Sequence, residues 1–285
     1  MIEFTIKSNS EIRLSKAVFQ YNQQISYAHL MSLLRKKDVM VNGRRVNKDV
    51  LVRYGDVIRL YTTVYTPETY RYDVKKVYEN EHLLIFYKPK GLETQGDISL
   101  EAFARRQFPY AEACHRLDVN TDGLLIVAKS CEVKEIIVRE MNEGKIQKYY
   151  LAALYGTLNA PVIDKSAFIV KDSEAGVSRV FNDKTAGALP IRTVFTEKAV
   201  FPGWTLAEIR LHTGRTHQIR AQAFQLGNYV LGDGKYCPDK VRRQFPFKKQ
   251  ALSAYKLHFD TDSDVFDGLH GKTIAVECSL SEYLG

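Results

Sequence analysis

The sequence predicts an α+β protein in two parts, a small N-terminal module followed by a larger domain. Three observations carry this. The chain has 285 residues and 45% hydrophobic content, enough for one substantial core and a smaller satellite. Short helices and strands fill roughly the first sixty residues, whereas from Val74 onward the strands lengthen and mix with helices. The charge is also uneven. The formal net charge is +8, and residues 1–60 hold 11 Lys/Arg against 5 Asp/Glu, so most of the excess lies in that first stretch. Such a basic balance suits a polyanionic partner.

Ile2 to Lys7 alternates like a short strand, and RLSKAVFQY reads as a helix with Leu14, Val18 and Tyr21 on one face. After Ser26, an expected N-cap, YAHLMSLLRKK forms a second helix with Ala28, Met31 and Leu34 inward and Arg35, Lys36 and Lys37 at its C-terminal end. Asn42-Gly43, within VMVNGRRVN, predicts a tight hairpin, because a primed turn needs positive φ at both central residues. YGDVIRLY closes this module, residues 1–61, and TTVYTPETYRYD marks a linker over residues 62–74.

The larger domain, residues 75–285, opens with VYENEHLLIFYKPKG and a helical stretch near Leu100 to Gln107. GLLIVAKS is a buried strand and CEVKEIIVREMNEG a helix ending at Gly144. KIQKYYLAALYG is a strand with Tyr149, Leu151, Ala153 and Tyr155 on one face and Tyr150, Ala152 and Leu154 on the other. Residues 157–190 are polar and predict a surface hairpin or loop excursion. WTLAEIRLHTG is a strand that turns into the helix THQIRAQAFQLG, with Thr216 as cap, Ile219, Ala223 and Leu226 as buried stripe, and Gly227 as stop.

The N-terminus lacks an apolar signal core and no run is long enough to span a membrane, so a soluble cytoplasmic protein without membrane attachment is expected; a monomer is the expected state. Cys114, Cys131, Cys237 and Cys278 are scattered and read as reduced thiols. His212 and His217 are five apart with a turn between them and no third ligand nearby, so no metal site is expected. LGDGKY lacks the spacing of a phosphate-binding loop and reads as a turn.

Two segments could carry chemistry. In CHRLDVNTDGLLIVAKS, charged His115, Arg116 and Asp118 abut an apolar strand; Asp118 is either a reactive carboxylate or a loop cap paired with Arg116. In HTGRTHQIR, an arginine beside Gly and Thr at a helix start is a phosphate contact, a carboxylate partner or part of a solvated turn.

Five blocks in order, YENEHLLIFYKPKGLETQ, HRLDVNTDGLLIVAKS, KYYLAALYG, HTGRTHQIRAQAFQLGNYVLGDGKY and QALSAYKLHF, resemble the RluA-type pseudouridine synthases over residues 75–285. Asp122 stands where that family usually has a small residue. The resemblance implies a catalytic domain on a mixed, largely antiparallel sheet and a cofactor-free isomerisation of uridine in RNA to pseudouridine. It also implies Asp118 as the catalytic carboxylate, acting by attack on a sugar carbon or by removal of a sugar proton. Arg220 is implied as its guanidinium partner, Tyr150 as the aromatic stacked on the base, Ile219 as an apolar floor and Arg116 as an aid to extrusion of the base. Arg215 is expected as a further RNA contact. Residues 12–61 resemble the α-L RNA-binding module, with Ser15 where an Asp is common. Arg35, Lys36, Lys37, Arg44, Arg45 and Lys48 would then neutralise phosphates. RNA is the expected partner, ribosomal RNA first and transfer RNA open.

Overall fold

The computed structural model describes residues 1–8, 10–21, 25, 27–62, 72–108 and 110–283. They form two compact units, Met1–Asp73 with Gln95–Pro109, and Val74–Thr94 with Tyr110–Gly285.

The first unit begins with β1 (Ile2–Thr5), β2 (Ile12–Arg13), α1 (Leu14–Tyr21), α2 (Tyr27–Lys36), β3 (Val39–Val41), β4 (Arg44–Val46), β5 (Leu51–Val52) and β6 (Val57–Leu60). A four-stranded sheet in the order β1-β6-β3-β4 and a β2-β5 pair pack with the helices around Leu14, Val18, Leu30, Leu34, Ile58 and Leu60. The Asn42-Gly43 turn has the expected positive φ values, 50° and 77°. Ser15, at the start of α1, is held from a distance: its backbone N–H and hydroxyl donate to the two carboxylate oxygens of Asp49 at 2.9 and 2.8 Å.

Both helical faces differ from the sequence reading. Tyr21 is 54% exposed, because it ends α1 and lays its ring over Phe4 at 4.0 Å as an outer cover, while Ala17 joins Leu14 and Val18 inside. In α2 the buried stripe is Leu30, Leu33 and Leu34, with Met31 partly buried against it. Ser26 and the Ala28 side chain lie outside the described residues, as does most of the expected linker.

The second unit contains β7 (Lys75–Glu79) and β8 (Leu83–Lys88); α3 (Leu100–Arg105) follows in sequence but belongs to the first unit, where His29 on α2 meets Asp97 at 2.7 Å. Then come β9 (Glu112–Ala113), β10 (Asp122–Ala128), α4 (Cys131–Asn142), β11 (Ile146–Tyr155), β12 (Val162–Asp172), β13 (Val177–Phe181), β14 (Leu189–Phe201) and β15 (Trp204–Leu211). The rest is α5 (Gln218–Gln225), α6 (Asp239–Arg242), β16 (Leu252–Phe259) and β17 (Thr273–Ala275). The sheet runs β13-β12-β14-β15-β11-β16-β10-β8-β7, with β9 on β10 and β17 on β16. It is mixed and largely antiparallel, as expected; β10 with β16 is the parallel pair.

That parallel junction is short, Asp122 opposite Ser253 and Gly123 opposite Ala254. Only glycine fits there. A Cβ on Gly123 would stand 2.1 Å from the Ala254 carbonyl oxygen, and its φ is +121°. Every residue of β10 is buried, its lower face packing on Val133, Ile137 and Met141 of α4. Ser130 caps α4 by accepting from the Val133 N–H at 3.2 Å, and Gly144 follows its end at φ 78°.

Residues 157–190 are less irregular than their polarity suggests. They hold the β12–β13 hairpin and the start of β14, strands at the sheet margin that keep one face toward solvent and so never show a long apolar run.

Candidate active site

A cleft of about 430 Å³ in the second unit is lined by the loop before β10, by β11 and by the turn into α5. Its volume lies in the range of small-molecule sites, roughly 300–1,000 Å³. Asp118, Tyr150, Arg220, Ile219, Arg116 and Arg215 all line it. The two remote segments that the sequence offered as chemistry are therefore one site.

Asp118 is presented by a loop fixed on both flanks. The Leu117 N–H donates to Thr94 Oγ1 at 3.1 Å, whose hydroxyl donates back to the Leu117 carbonyl at 2.9 Å. On the other side Val119 O accepts from Gly91 N–H at 2.7 Å and from the Lys88 ammonium at 3.3 Å. Lys88 is fully buried, also donates to Leu92 O at 2.7 Å, and has its pKa pulled down to about 8 by desolvation. The KPKGLET block after β8 is thus the mount of the Asp118 loop.

Arg220 Nη1 donates to Asp118 Oδ2 at 2.7 Å across 102 positions of sequence. The other edge of the guanidinium is clamped by Asp233, which accepts from Nε at 2.6 Å and from Nη2 at 2.8 Å. Asp233 is fully buried and its Oδ1 also accepts from the Lys235 and Tyr236 N–H groups. Burial works against the charge of Arg220, but the hydrogen bonds and charges of Asp233 and Asp118 outweigh it and raise its pKa. The guanidinium is a fixed cation beside the Asp118 carboxylate.

Tyr150, 5% exposed, faces the cleft while Tyr149 lies under the Lys256 ammonium at 4.2 Å on the opposite face. A register shift against β16 falls between the two tyrosines. Burial first, and then the negative charge of Asp118, push the Tyr150 hydroxyl above its usual pKa, so it stays a neutral phenol. Ile219 is buried; Arg116 and Arg215 are exposed.

Thr216 was the expected cap of α5, yet the cap position is His217, at φ 56°. The reversal of the chain there aims His217 at both neighbours: Nδ1 lies 3.0 Å from Tyr236 Oη and Nε2 3.9 Å from Asp118 Oδ2. Burial lowers the His217 pKa, against the attraction of Asp118. Nor is α5 amphipathic, since Gln218 through Ala223 are all buried and Leu226 is only half so. Gln218 and Gln222 are accommodated because they bond Thr213, Arg215 and Thr193.

Asp122, the departure from the usual small residue, is buried and accepts from Tyr87 Oη at 2.6 Å and Ser253 Oγ at 2.5 Å. It fastens the start of β10 to strands on either side. LGDGKY is a turn, as read, but a Cβ on Gly232 would meet Lys249 O at 2.2 Å, and this forced turn is what delivers Asp233 to Arg220. Asp233, Lys88, Thr94 and His217 were not singled out as site residues; an acid inside the apolar run YVLGDG was the available signal for the first.

The sequence profile described as RNA pseudouridylate synthase matches residues 82–225, half of the chain and every residue lining the cleft but Leu252. The chain belongs to the RNA pseudouridylate synthase family. It is an RNA isomerase. The pseudouridine synthase is 30% identical over 250 residues to the ribosomal large subunit pseudouridine synthase C of Vibrio cholerae, covering 80% of this chain and 78% of that one. It is 28% identical over 280 residues to the ribosomal large subunit pseudouridine synthase D of Nitrosomonas europaea, with 90% and 79% covered. Among solved structures, human RNA pseudouridylate synthase domain containing 1 superposes with a TM-score of 0.61 at 25% identity, over 75% of this chain and 86% of the other.

Among the described residues no helix is long and apolar enough to cross a membrane.

Proposed function

We propose that this pseudouridine synthase isomerises uridines of ribosomal RNA in the cytoplasm, with Asp118, Tyr150 and Arg220 as its catalytic residues. The observation that carries the reading is the Asp118 carboxylate held at 2.7 Å by a guanidinium that is itself clamped by Asp233, inside a cleft walled by Tyr150 and Ile219. The names of the Vibrio and Nitrosomonas relatives support ribosomal RNA as the substrate.

A paired uridine must leave the stack to enter such a cleft. Arg116, exposed beside Asp118, fills the vacated position. Tyr150 stacks on the extruded base and Ile219 supports it from below. The anionic Asp118 then acts on the sugar, by attack on the anomeric carbon or by removing a sugar proton, and the bond from that carbon to N1 breaks. The freed uracil turns between Tyr150 and Ile219 and bonds through C5 to the anomeric carbon, displacing the Asp118 carboxylate from it in the first route, or with the sugar proton returned by Asp118 in the second. The proton lost from C5 is matched by one gained at N1, so the product is an isomer and no oxidant or water is consumed. The neutral Tyr150 hydroxyl can hand on that proton.

The basic first unit is the RNA-binding module of this reading. Arg35, Lys36, Lys37, Arg44, Arg45 and Lys48 are all exposed there. Mapping pseudouridines in the RNA of a strain lacking the gene, before and after restoring the wild-type or the Asp118→Asn protein, tests the proposal. A site in ribosomal RNA that returns only with wild-type protein is expected. Loss of sites in transfer RNA alone would overturn the assigned substrate, and restoration by Asp118→Asn would remove Asp118 from its role.

A further inference from the structure

Lys148 lies two residues before Tyr150 on β11 and lines the same cleft. It is 9% exposed. Lys88 and Arg220, buried to a similar degree, each have carbonyl or carboxylate partners. Among the described residues the Lys148 ammonium has none, and burial alone, with no acidic side chain contributing, lowers its pKa to about 8. At neutral pH it is still largely a cation. Holding a cation largely out of water without a compensating charge is unfavourable.

A second donor without a partner stands in the wall of the same cleft. His115 accepts the Ile126 N–H at Nε2, 3.2 Å, so the neutral ring carries its proton on Nδ1, and Nδ1 meets no acceptor. Desolvation, and then the charge of Lys148, hold the ring neutral and pull its pKa down to about 3. Over the ammonium lies the Thr213–Arg215 turn, close enough that a Cβ on Gly214 would stand 3.9 Å from Nζ. The titratable groups lining the cleft with Lys148 are Cys114, His115, Arg116, Asp118, Tyr150, His212, Arg215, His217 and Arg220; α4 contributes Val138, Met141 and Asn142. The one acid among them, Asp118, is bonded to Arg220, and no acid offsets the burial of Lys148. The surroundings offer donors and positive charge and leave the acceptor, and the negative charge, to a ligand.

We propose that Lys148, with His115 Nδ1 and with Arg215 at the rim, forms an anion subsite that takes a phosphodiester oxygen of the RNA strand beside the target uridine. The inference rests on the assignment of the cleft as the place where that uridine is held. A uracil carbonyl would satisfy a donor but would not neutralise the ammonium; a phosphate does both. Residues two apart on a strand are about 7 Å apart, the scale of one nucleotide, so a base on Tyr150 brings a neighbouring phosphate within reach of Lys148. An anion there favours the charged amine, so its pKa rises when the subsite fills. Binding through it weakens as pH rises through the free value of about 8.

The test is NMR of the full-length protein labelled with 13C-lysine, the Lys148 Cε signal being assigned by its loss in Lys148→Arg and Lys148→Met. Titration with inorganic phosphate at constant ionic strength is expected to raise the Lys148 pKa by about one unit or more, where chloride does not. On ribosomal RNA, Lys148→Met is expected to raise KM about tenfold with kcat changed less than about threefold, and Lys148→Arg to recover most of the loss. A Lys148 pKa indifferent to phosphate, or a phosphate response confined to Arg215 and His212, would overturn the subsite, whether or not Lys148→Met folds. Failure of the wild-type protein to form pseudouridine in ribosomal RNA would strike the substrate assignment and leave the phosphate titration readable.

Discussion

Asp233→Asn should slow the chemical step while leaving RNA affinity nearly intact. The native carboxylate makes two charge-assisted hydrogen bonds to Arg220, at 2.6 and 2.8 Å, from a fully buried position. The amide oxygen, in the place of Oδ1, keeps the Lys235 and Tyr236 N–H groups and Arg220 Nη2, but the NH2 in the place of Oδ2 faces Arg220 Nε, which can only donate. The lost bond contributes about 1.5–3 kcal/mol, and removing the charge of one partner of a buried pair costs about 3–5 kcal/mol. Against a total stability of about 5–15 kcal/mol the variant folds, with a much lower urea midpoint. The freed guanidinium no longer holds the Asp118 carboxylate in one place, and a displacement of about 1 Å at a reacting group costs about a hundredfold in rate. Single-turnover rates should therefore fall about 10- to 100-fold per folded molecule, with KM within about threefold of wild type. The assay is tritium release from uracil C5, normalised to the folded fraction. A lowered urea midpoint with an unchanged single-turnover rate would make Asp233 a purely structural residue and refute the reasoning.

Tyr150→Phe should lose about a hundredfold in single-turnover rate with RNA affinity within about twofold, because the ring still stacks and only the proton-carrying hydroxyl is gone; an unchanged rate would reduce Tyr150 to packing. Gly123→Ala should cost about 3 kcal/mol or more in urea unfolding, since the new Cβ would be driven into the Ala254 carbonyl at an unfavourable φ; a midpoint within error of wild type would contradict the close approach. Reversing charge at Arg44 and Lys48, both exposed, should lower the slope of log affinity for ribosomal RNA against log salt by about 1–2 without changing the rate constant at saturation. An unaltered slope would leave these residues as ordinary solvated surface.

The features legible in the sequence are those that local chemistry decides. Asn42-Gly43 demands its turn, the alternation of KYYLAALYG separates Tyr150 from Tyr149, and the uninterrupted apolar run GLLIVA can only be an interior strand. What stayed hidden depends on partners far along the chain. Asp233 looked like a turn residue because its role is defined by Arg220, which lies on a helix on the other side of that turn. Nothing in KIQKYY says that the Lys148 ammonium ends largely buried and without an acidic partner. The helix carrying Arg220 defied its amphipathic reading because Gln218 and Gln222 are buried with Thr193 as hydrogen-bond partner, a pairing no periodicity reveals. Residues 157–190 were read too loosely for the opposite reason: marginal strands with one wet face resemble loops in composition.

The position of β16 has a consequence for incomplete chains. Although it begins at Leu252, late in the sequence, it is stitched between β10 and β11 in the middle of the sheet. A polypeptide ending before it would lack a seam rather than a hem: β7 to β10, bearing the Asp118 loop, would form one fragment of sheet, and β11 to β15, bearing Tyr150 and leading into the Arg220 helix, another. No hydrogen-bonded strand would then join the carboxylate to its guanidinium. A chain cut before Leu252 is therefore expected to release no tritium from uracil C5, even where both pieces of sheet form.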